Sequence, residues 1–261
     1  MTGPPGGGPE RGGAAIFDVD GTLVDSERHG HRVAFNRAFE ELGLPYVWDE
    51  DLYGELLHVT GGQRRIDGYL AGQGVAEAER NQLGPKLHAR KTEILQQMVD
   101  EGAVEVRPGV TRLLDELGAA GDWRLAVGTT GSRGWVDRLL RRLLPATTWD
   151  VVVTGDDVTA RKPDPEVFDV ARRQLGLPGP EQAVVIEDSG EGLAAARAAG
   201  MRCVVVVNGY TADHDLAGAD LVLDGFGMPG APAAVLADSH GTGCEGILTA
   251  DVLRILTQCP G

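Results

Sequence analysis

The sequence predicts an α/β fold, in which a parallel β-sheet carries helices on both faces and a helical segment is inserted after the first strand. Short apolar runs rich in Val and Ile alternate with segments of helical periodicity, as is typical of parallel sheets. The alternation stops between Glu27 and Val104, where helical patterns occur without a convincing strand. A helical insertion of this length should form a separate small domain.

Six apolar runs are predicted as strands, because they are short, continuous and rich in Val and Ile. They cover residues 14–17, 125–127, 151–153, 183–186, 203–207 and, more weakly, 221–223. The helical patterns between them cover residues 109–120, 135–144, 165–175 and 190–199. Asp164 is the expected N-cap of the third of these helices, with Pro165 at its first position, and Gly200 is the expected C-terminal glycine of the fourth.

The insertion and the C-terminal region complete the predicted organisation. Within the insertion, helical patterns cover residues 32–42, 61–70, 76–83 and 85–99. The predicted domains are a disordered tail at 1–13, a sheet domain at 14–26 and 104–228, a helical domain at 27–103, and an extension at 229–261. In the extension, residues 229–246 are predicted as loop and 247–256 as one helix, with no assigned role.

Composition and charge limit the class of protein. The chain has 261 residues, 42% of them hydrophobic and 24% charged, as in ordinary soluble globular proteins. No apolar stretch approaches the roughly 20 residues that span a bilayer, and the Gly- and Pro-rich N-terminus lacks the apolar core of a signal peptide. We therefore expect a cytoplasmic protein without a membrane partner.

The net charge of −15 argues against nucleic-acid binding, which requires a cationic surface, and is compatible with a monomer. It does not exclude phosphate substrates, because a bound divalent cation and a few basic residues reverse the charge locally. The three cysteines, Cys203, Cys244 and Cys259, are too few for a disulfide framework and lack CxxC spacing for zinc. Cys203 lies in an apolar run and is expected in the core.

Asp18 and Asp20 directly follow the first predicted strand. Ligands of open parallel sheets bind beyond the carboxyl ends of the strands, and two acids two residues apart in extended chain point to the same side. One carboxylate is then placed to attack and the other to move a proton. The alternative is an Asx-turn, which Asp-Gly favours at any strand end.

Three further strand ends carry suitable groups. Thr129 and Thr130 follow the second run, where a hydroxyl and backbone N–H groups can hold phosphate oxygens, although an ordinary N-capping loop is the alternative. Lys162 precedes a helix and can neutralise an aspartate and a phosphate, or be an isolated surface lysine. Glu187 and Asp188 close the fourth run and either bind a cation or cap a helix. The coincidence of four such ends favours the chemical interpretation.

With these four groups in order, the chain resembles the haloacid dehalogenase superfamily over residues 14–226. The first motif is Asp18-Val19-Asp20-Gly21-Thr22-Leu23-Val24-Asp25-Ser26-Glu27, the second is Thr129, the third is Lys162 and the fourth is Glu187-Asp188-Ser189. The resemblance implies a Rossmann-like core with a helical cap of the C1 type, inserted after the first motif.

Further segments resemble the CbbY-type branch, which is similar to xylulose-1,5-bisphosphate phosphatases. They are residues 30–36, 48–57, 60–65, 87–92 and 209–212. One departure is Gln63, where many relatives carry lysine after the paired glycines. If that lysine contacts substrate, the sugar preference of this chain differs.

The resemblance implies a role for each motif residue. Asp18 attacks phosphorus and forms an aspartyl-phosphate, while Asp20 protonates the leaving sugar oxygen and then deprotonates water. Mg²⁺ is held by the Asp18 carboxylate, the Asp20 carbonyl and Asp188, with Glu187 nearby as a further metal-site residue. Thr129 and Lys162 neutralise charge on the phosphoryl group.

The expected substrate is a small phosphosugar, which the cap helps to select and to shield from water. For each cap residue, simple solvation of a charged helix face is the alternative interpretation. The candidate substrate-binding residues are Glu27, His31, Gly61, Gly62, Arg64, Arg65, His88, Lys91, Thr130 and Arg133.

Two other functions remain open from the sequence. A phosphosugar mutase of the beta-phosphoglucomutase type shares every core motif, and would isomerise its product without releasing phosphate. A catalytically silent binding domain is the second alternative, although every catalytic position is filled by a chemically competent residue.

Overall fold

The computed structural model describes residues 13–59 and 61–258, and these residues form two compact units. The sheet unit contains the chain up to Val24 and from Val106 onward, and the helical unit is Asp25–Glu105. The division falls close to the predicted insertion at 27–103. The expected disordered tail lies outside the described residues except for Gly13, and so does Cys259.

The sheet unit is built on a seven-stranded sheet with the order β3-β2-β1-β4-β5-β6-β7. All neighbours are parallel except β6 and β7, which pair antiparallel. The strands are β1 (Ala14–Phe17), β2 (Arg124–Gly128), β3 (Val151–Val153), β4 (Ala183–Glu187), β5 (Arg202–Val206), β6 (Leu221–Leu223) and β7 (Val235–Asp238).

The α/β fold class is confirmed, and the six predicted strands all occur with ends shifted by no more than a residue or so. β1 is an interior strand of the sheet, between β2 and β4, and its Phe17 pairs with both Val127 and Ile186. Four apolar residues of β1 are fully buried, since helices cover both faces. This interior position places the residue after Phe17 between the ends of β2 and β4.

Nine α-helices occur in the described part of the chain. They are α1 (Arg32–Glu41), α2 (Glu50–Leu56), α3 (Gly62–Gly72), α4 (Glu77–Asp100), α5 (Val110–Ala120), α6 (Arg133–Leu143), α7 (Glu166–Gln174), α8 (Gly190–Ala198) and α9 (Ala250–Gln258). Pro165 is the N-cap of α7, and the Asp164 carboxylate accepts a hydrogen bond from Glu166 N at 2.9 Å instead of serving as the cap itself.

The C-terminal region belongs to the sheet unit. The expectation of a loop over 229–246 was wrong in part, because this region contains β7, which pairs with β6. Three of its four residues have exposed apolar side chains, so β7 lacks the buried Val/Ile pattern that marks the other strands. The predicted helix is present as α9, and it packs against α5 and β4.

Two features of the helical unit differ from the predicted pattern. The expected helices at 76–83 and 85–99 are one helix, α4, which contains Pro85. Pro85 lies in the third turn and is exposed, and α4 packs against α1 and α3. A turn of π-helix, Glu27–His31, and the helix α2 were not predicted.

The helical unit has its own aromatic core. Trp48 lies with its ring centroid 4.6 Å from that of Phe35 and 5.0 Å from that of Phe39. Asn36 fixes the backbone at this point, since its side chain donates to Trp48 O at 2.8 Å and accepts from Trp48 N at 2.7 Å. The core thus holds α1 and the loop before α2 in place.

Within the described residues, no helix is long and apolar enough to cross a membrane.

Candidate active site

The carboxyl ends of adjacent parallel strands bring together residues that are far apart in the sequence. Asp18 follows β1 and its N–H donates to Ile186 O of β4 at 2.9 Å. Thr129 follows β2 and its N–H donates to Val153 O at 3.1 Å. Because the strand pairing continues through these residues, their side chains emerge at one edge of the sheet.

Lys162 forms a double ion pair at this edge. Its ammonium group donates to Asp18 Oδ1 and to Glu187 Oε1, each at 2.6 Å. All three residues are less than a tenth exposed. Lys162 is therefore a buried partner of two strand-end acids, and the alternative of an isolated surface lysine is excluded.

Glu187 has hydrogen bonds from protein groups on both carboxylate oxygens. Besides the bond from Lys162 to Oε1, Oε2 accepts from Asp188 N at 2.8 Å and from the N–H and hydroxyl of Ser189 at 3.1 and 3.0 Å. Burial alone would raise the pKa of Glu187, but the charge and hydrogen bond of Lys162 outweigh it and lower that pKa. Glu187 thus holds the Lys162 ammonium group in place.

Asp188 points to a different set of partners. Asn208 donates to its Oδ2 at 2.7 Å, and the Thr22 hydroxyl donates to its Oδ1 at 3.3 Å. Burial raises the pKa of Asp188 well above its usual value, and the negative charges of Glu187 and Asp18 raise it further.

Arg107 supports the turn that carries the two aspartates. Its guanidinium donates to Gly21 O at 2.6 Å and to the carbonyls of Val206 and Val207 at 2.8 and 2.7 Å. The turn after β1 is therefore tied to the carboxyl end of β5, two strands away in the sheet.

The pKa of Asp18 is raised to about 7, mainly by burial and also by the charges of Glu187 and Asp20. The Lys162 ammonium group opposes this rise but does not cancel it. The pKa of Lys162 is raised, because the attraction of Asp18 and Glu187 outweighs the effect of burial. The buried site thus contains more negative charge than one lysine balances.

This surplus of carboxylate oxygen suits a hard divalent cation. Among the described residues, no group of three His, Cys, Asp or Glu side chains has the arrangement of a metal site. Mg²⁺ does not require one, because it commonly keeps several waters and takes only one or two protein carboxylates. The carboxylates of Asp18 and Asp188 and a nearby backbone carbonyl are therefore the candidate ligands, while Glu187 accepts four hydrogen bonds from Lys162, Asp188 and Ser189.

The carboxylate of Asp20 contacts an indole that the sequence did not single out for chemistry. Trp135, in the first turn of α6, donates from Nε1 to Oδ1 at 3.0 Å and to Oδ2 at 3.2 Å. Gly131 lies beside this pair, and a Cβ there would be 3.3 Å from Asp20 Oδ2.

The remaining candidates of the sheet unit are placed as follows. Thr129 is buried, and its hydroxyl accepts from Gly131 N at 3.2 Å. Thr130 is partly buried, and its carbonyl accepts from Arg161. The Arg133 guanidinium donates to Val152 O at 3.0 Å and to Asp157, so it is engaged within the sheet unit.

In the helical unit, three basic candidates, His31, His88 and Lys91, are close to one another. Lys91 is 4% exposed and donates to His31 Nδ1 at 2.8 Å, with its ammonium group 4.8 Å from the centre of the Phe35 ring. The pKa of His88 is lowered by burial first and then by the charges of Lys91 and His31. This cluster is cationic in a strongly acidic chain.

Arg65 and Glu27 are joined through Tyr53. Arg65, 6% exposed, donates from Nη1 to the Tyr53 hydroxyl at 3.1 Å and from Nε to Leu56 O at 3.0 Å. The Tyr53 hydroxyl donates to Glu27 Oε2 at 2.5 Å. The glycines Gly61 and Gly62 precede this region, and a Cβ on Gly62 would lie 3.2 Å from the His88 ring. Arg64 is exposed.

Four residues of the site were missed by the sequence interpretation as functional positions. Thr22 was quoted only as part of a motif, and Asn208 follows the fifth apolar run just as the predicted residues follow theirs, so a strand-end signal existed for it. Arg107 and Trp135 carry no such signal, because each reaches the site with a long side chain from outside the strand ends.

Comparison with known proteins identifies the family of the chain. The family model described as haloacid dehalogenase-like hydrolase matches residues 13–200. A CBBY-like protein of Arabidopsis thaliana is 42% identical over 224 residues, 83% of this chain and 70% of that protein. Protein CbbY of Cereibacter sphaeroides is 42% identical over 232 residues, 85% of this chain and 96% of that protein.

A solved structure agrees with these sequence matches. The crystal structure of CbbY from Rhodobacter sphaeroides in complex with phosphate has 41% sequence identity and a TM-score of 0.71, over 81% of this chain and 93% of that one.

The chain belongs to the haloacid dehalogenase-like hydrolases, a family that generally uses Mg²⁺. Within that family it is similar to the CbbY proteins, and it is a phosphoric monoester hydrolase. The predicted family and enzyme class are thereby confirmed.

Proposed function

We propose that the chain is a Mg²⁺-dependent phosphatase that hydrolyses a small sugar phosphate, with xylulose-1,5-bisphosphate as the substrate, through an aspartyl-phosphate on Asp18. The observation that carries the proposal is the buried pairing of Asp18 with Lys162, which Glu187 holds in position. A cation fixed against one carboxylate oxygen orients Asp18 and offers positive charge to an incoming phosphoryl group.

In the first step, a carboxylate oxygen of Asp18 forms a bond to phosphorus and the bond to the sugar oxygen breaks. Asp20 gives its proton to that leaving oxygen. In the second step, Asp20 takes a proton from water, the water oxygen bonds to phosphorus, and the bond to Asp18 breaks, which regenerates the enzyme. The same residue serves as acid and then as base.

Three sets of groups are proposed to stabilise the negative charge of the phosphoryl group. Lys162 neutralises it from one side, and the Thr129 hydroxyl and nearby backbone N–H groups bind its oxygens. A bound Mg²⁺ would be held by the carboxylates of Asp18 and Asp188 and the carbonyl of Asp20, and would neutralise charge on the phosphoryl oxygens. Glu187 then acts by orienting Lys162 rather than as a direct ligand.

The substrate class is proposed from a relative and from the helical unit. A variant of CbbY from Rhodobacter sphaeroides has been solved in complex with xylulose-1,5-bisphosphate, at 41% identity to this chain. The cationic cluster of His31, His88 and Lys91 would suit the second phosphate or the sugar hydroxyls of such a substrate. Glu27, Arg65 and the glycines at 61 and 62 are proposed as further substrate-binding residues of the helical unit, with Arg64 as another candidate there and Thr130 and Arg133 as candidates in the sheet unit.

The test is phosphate release from xylulose-1,5-bisphosphate with Mg²⁺, beside a panel of other sugar phosphates and the variant Asp18→Asn. We expect a preference for the bisphosphate and a fall of at least about 1,000-fold in the variant, since the nucleophile is lost. Asp115→Asn, at a position in α5 away from the strand ends, is the matched control and should keep full activity.

Each other outcome rejects a defined part of the proposal. Asp18-dependent release from other sugars only would keep the phosphatase and reject the bisphosphate. Isomerisation of a sugar phosphate without release of phosphate would replace the phosphatase by a mutase. No reaction with any substrate would reject the catalytic proposal as a whole.

A further inference from the structure

We infer that Trp135 is a positioning residue for Asp20, the proposed acid and base, so that its indole N–H determines how efficiently a poor leaving group is protonated. This inference rests on the proposed function of Asp20. It concerns a residue of α6 that lies outside the four motifs of the family and that contacts Asp20 with its side chain.

The contact is with both oxygens of the carboxylate. Trp135 Nε1 lies 3.0 Å from Oδ1 and 3.2 Å from Oδ2, so one N–H is shared between them. A donor shared in this way opposes rotation of the carboxylate about its Cβ–Cγ bond, a torsion that is otherwise soft. The hydrogen bond therefore reduces the range of orientations that Asp20 samples.

The indole itself is well fixed. Trp135 is 6% exposed, and the neighbouring positions of α6, Val136 and Leu139, are buried at 0% and 1%. Gly131 provides the space for the pair, because a Cβ there would lie 3.3 Å from Asp20 Oδ2 and 3.4 Å from Trp135 Cδ1. Because the indole of Trp135 is fixed and the space around Asp20 is limited, the hydrogen bond holds the Asp20 carboxylate in one orientation.

Two other tryptophans show that burial alone does not produce such a contact. Within the described part of the chain, the indole nitrogens of Trp123 and Trp149 are buried without a hydrogen-bond partner. Trp135 instead directs its N–H at the one carboxylate to which the mechanism gives a proton-transfer role. Trp123 therefore offers a matched control for a Trp→Phe substitution.

The orientation of the Asp20 carboxyl group matters most when its proton must reach the leaving oxygen during bond cleavage. A sugar alkoxide is a poor leaving group and needs this proton, whereas p-nitrophenolate leaves without it. The value of kcat/KM reports only the steps up to the first irreversible one, here transfer of the phosphoryl group to Asp18. The ratio of kcat/KM for the two kinds of substrate thus isolates the acid role of Asp20.

The experiment compares wild type, Trp135→Phe and Trp123→Phe on a sugar phosphate and on p-nitrophenyl phosphate. We expect Trp135→Phe to lower kcat/KM about 30-fold for the sugar phosphate and less than about threefold for p-nitrophenyl phosphate, mainly through kcat. Trp123→Phe should leave the ratio unchanged. Equal losses on both substrates in Trp135→Phe, or no loss on either, would overturn the inference.

A second measurement does not depend on the fold of the Trp135 variant. The indole N–H signal of Trp135 in ¹H–¹⁵N spectra should move when Asp20 is changed to Ala, while that of Trp123 stays in place. An unmoved Trp135 signal would contradict the hydrogen bond. If wild type hydrolyses neither substrate, the proposed function itself has failed, whereas an active wild type with an unchanged ratio in Trp135→Phe rejects only the role of Trp135.

Discussion

The sheet unit and the helical unit each bury charged groups, but they do so with opposite sign. At the strand ends of the sheet unit, Lys162 is shared by Asp18 and Glu187, and Asp188 lies nearby with a raised pKa. In the helical unit, the buried Lys91 donates to His31 Nδ1 at 2.8 Å and lies over the ring of Phe35. The strand-end site thus buries more carboxylates than ammonium groups, whereas the charged groups that are buried in the described part of the helical unit, Arg65 and Lys91, are positive.

This difference indicates that the two units bind different kinds of group. Buried carboxylates that outnumber the cations beside them favour binding of a metal ion, while a buried ammonium group can bind an anion. Of the three lysines in the chain, Lys91 and Lys162 are buried and one belongs to each unit, whereas Lys86 is exposed. Substitution of these lysines is therefore a direct way to test the comparison.

The largest effect is expected for Lys162→Met. Two buried carboxylates would lose their shared cation, so we expect phosphate release to fall by about 100-fold or more and the free energy of unfolding to fall by about 3 kcal/mol. The measurements are phosphatase assays and urea denaturation. Lys86→Met, at an exposed position, should change neither quantity, and a stable, active Lys162→Met enzyme would refute the role of the ion pair.

A smaller loss is expected for Gly192→Ala in α8. The added Cβ would lie 1.9 Å from the Glu187 carboxyl carbon, and this carboxylate is held by Lys162 and Ser189, so it must shift and take Lys162 with it. Activity should fall about 10- to 100-fold, since small displacements of catalytic groups are costly.

Gly118→Ala in α5 is the matched control for that substitution. A Cβ there has no atom within 4 Å outside its own helix, so activity should stay constant and stability should rise by about 0.5–1 kcal/mol. Equal activity in the two alanine variants would show that Glu187 does not need its observed position.

The helical unit is tested by Lys91→Met beside Lys86→Met, two positions of the same helix α4. If Lys91 contributes to substrate binding alone, KM should rise about 10-fold while kcat changes less than about twofold. Steady-state kinetics on the preferred substrate give both values. A fall in kcat with constant KM would instead place Lys91 in the chemical step and weaken the division between the units.

The smallest effect concerns thermal stability as a function of pH and Mg²⁺. The pKa of folded Asp18 is raised from 3.8 to about 7, so between these values the unfolded chain binds fewer protons than the folded one. In EDTA, stability from this group is therefore present below pH 4 and lost as pH rises to about 7. Asp18→Asn should reduce that loss.

Mg²⁺ competes with protons for the same carboxylates. Saturating Mg²⁺ should therefore raise Tm by about 3 °C or more at pH 8 and by less at pH 5. Differential scanning fluorimetry with Mg²⁺ and with EDTA provides the comparison, and K⁺ at equal ionic strength controls for screening. An equal rise at both pH values would contradict binding to these carboxylates.

The sheet was predictable because its strands leave a local signal. Each parallel strand is a short apolar run, and a run that ends in Asp, Thr or Glu identifies a polar group at the carboxyl edge. β7 was not predicted because it is an antiparallel edge strand with exposed side chains. Helix α4 was predicted as two helices because proline usually breaks a helix, and Pro85 lies within it. In both cases the element is stabilised by packing that its own sequence does not reveal, since β7 pairs with β6 and α4 packs against α1 and α3.

The sequence by itself determined the fold class, the family and the groups that end each central strand, since these follow from local periodicity and from motifs a few residues long. Only the tertiary structure decided which atoms meet: that Lys162 bridges Asp18 and Glu187, that Glu187 also caps the turn before α8, and that Trp135 donates to Asp20. Such contacts join residues more than a hundred positions apart or depend on the direction of a long side chain, and neither is encoded in a local pattern.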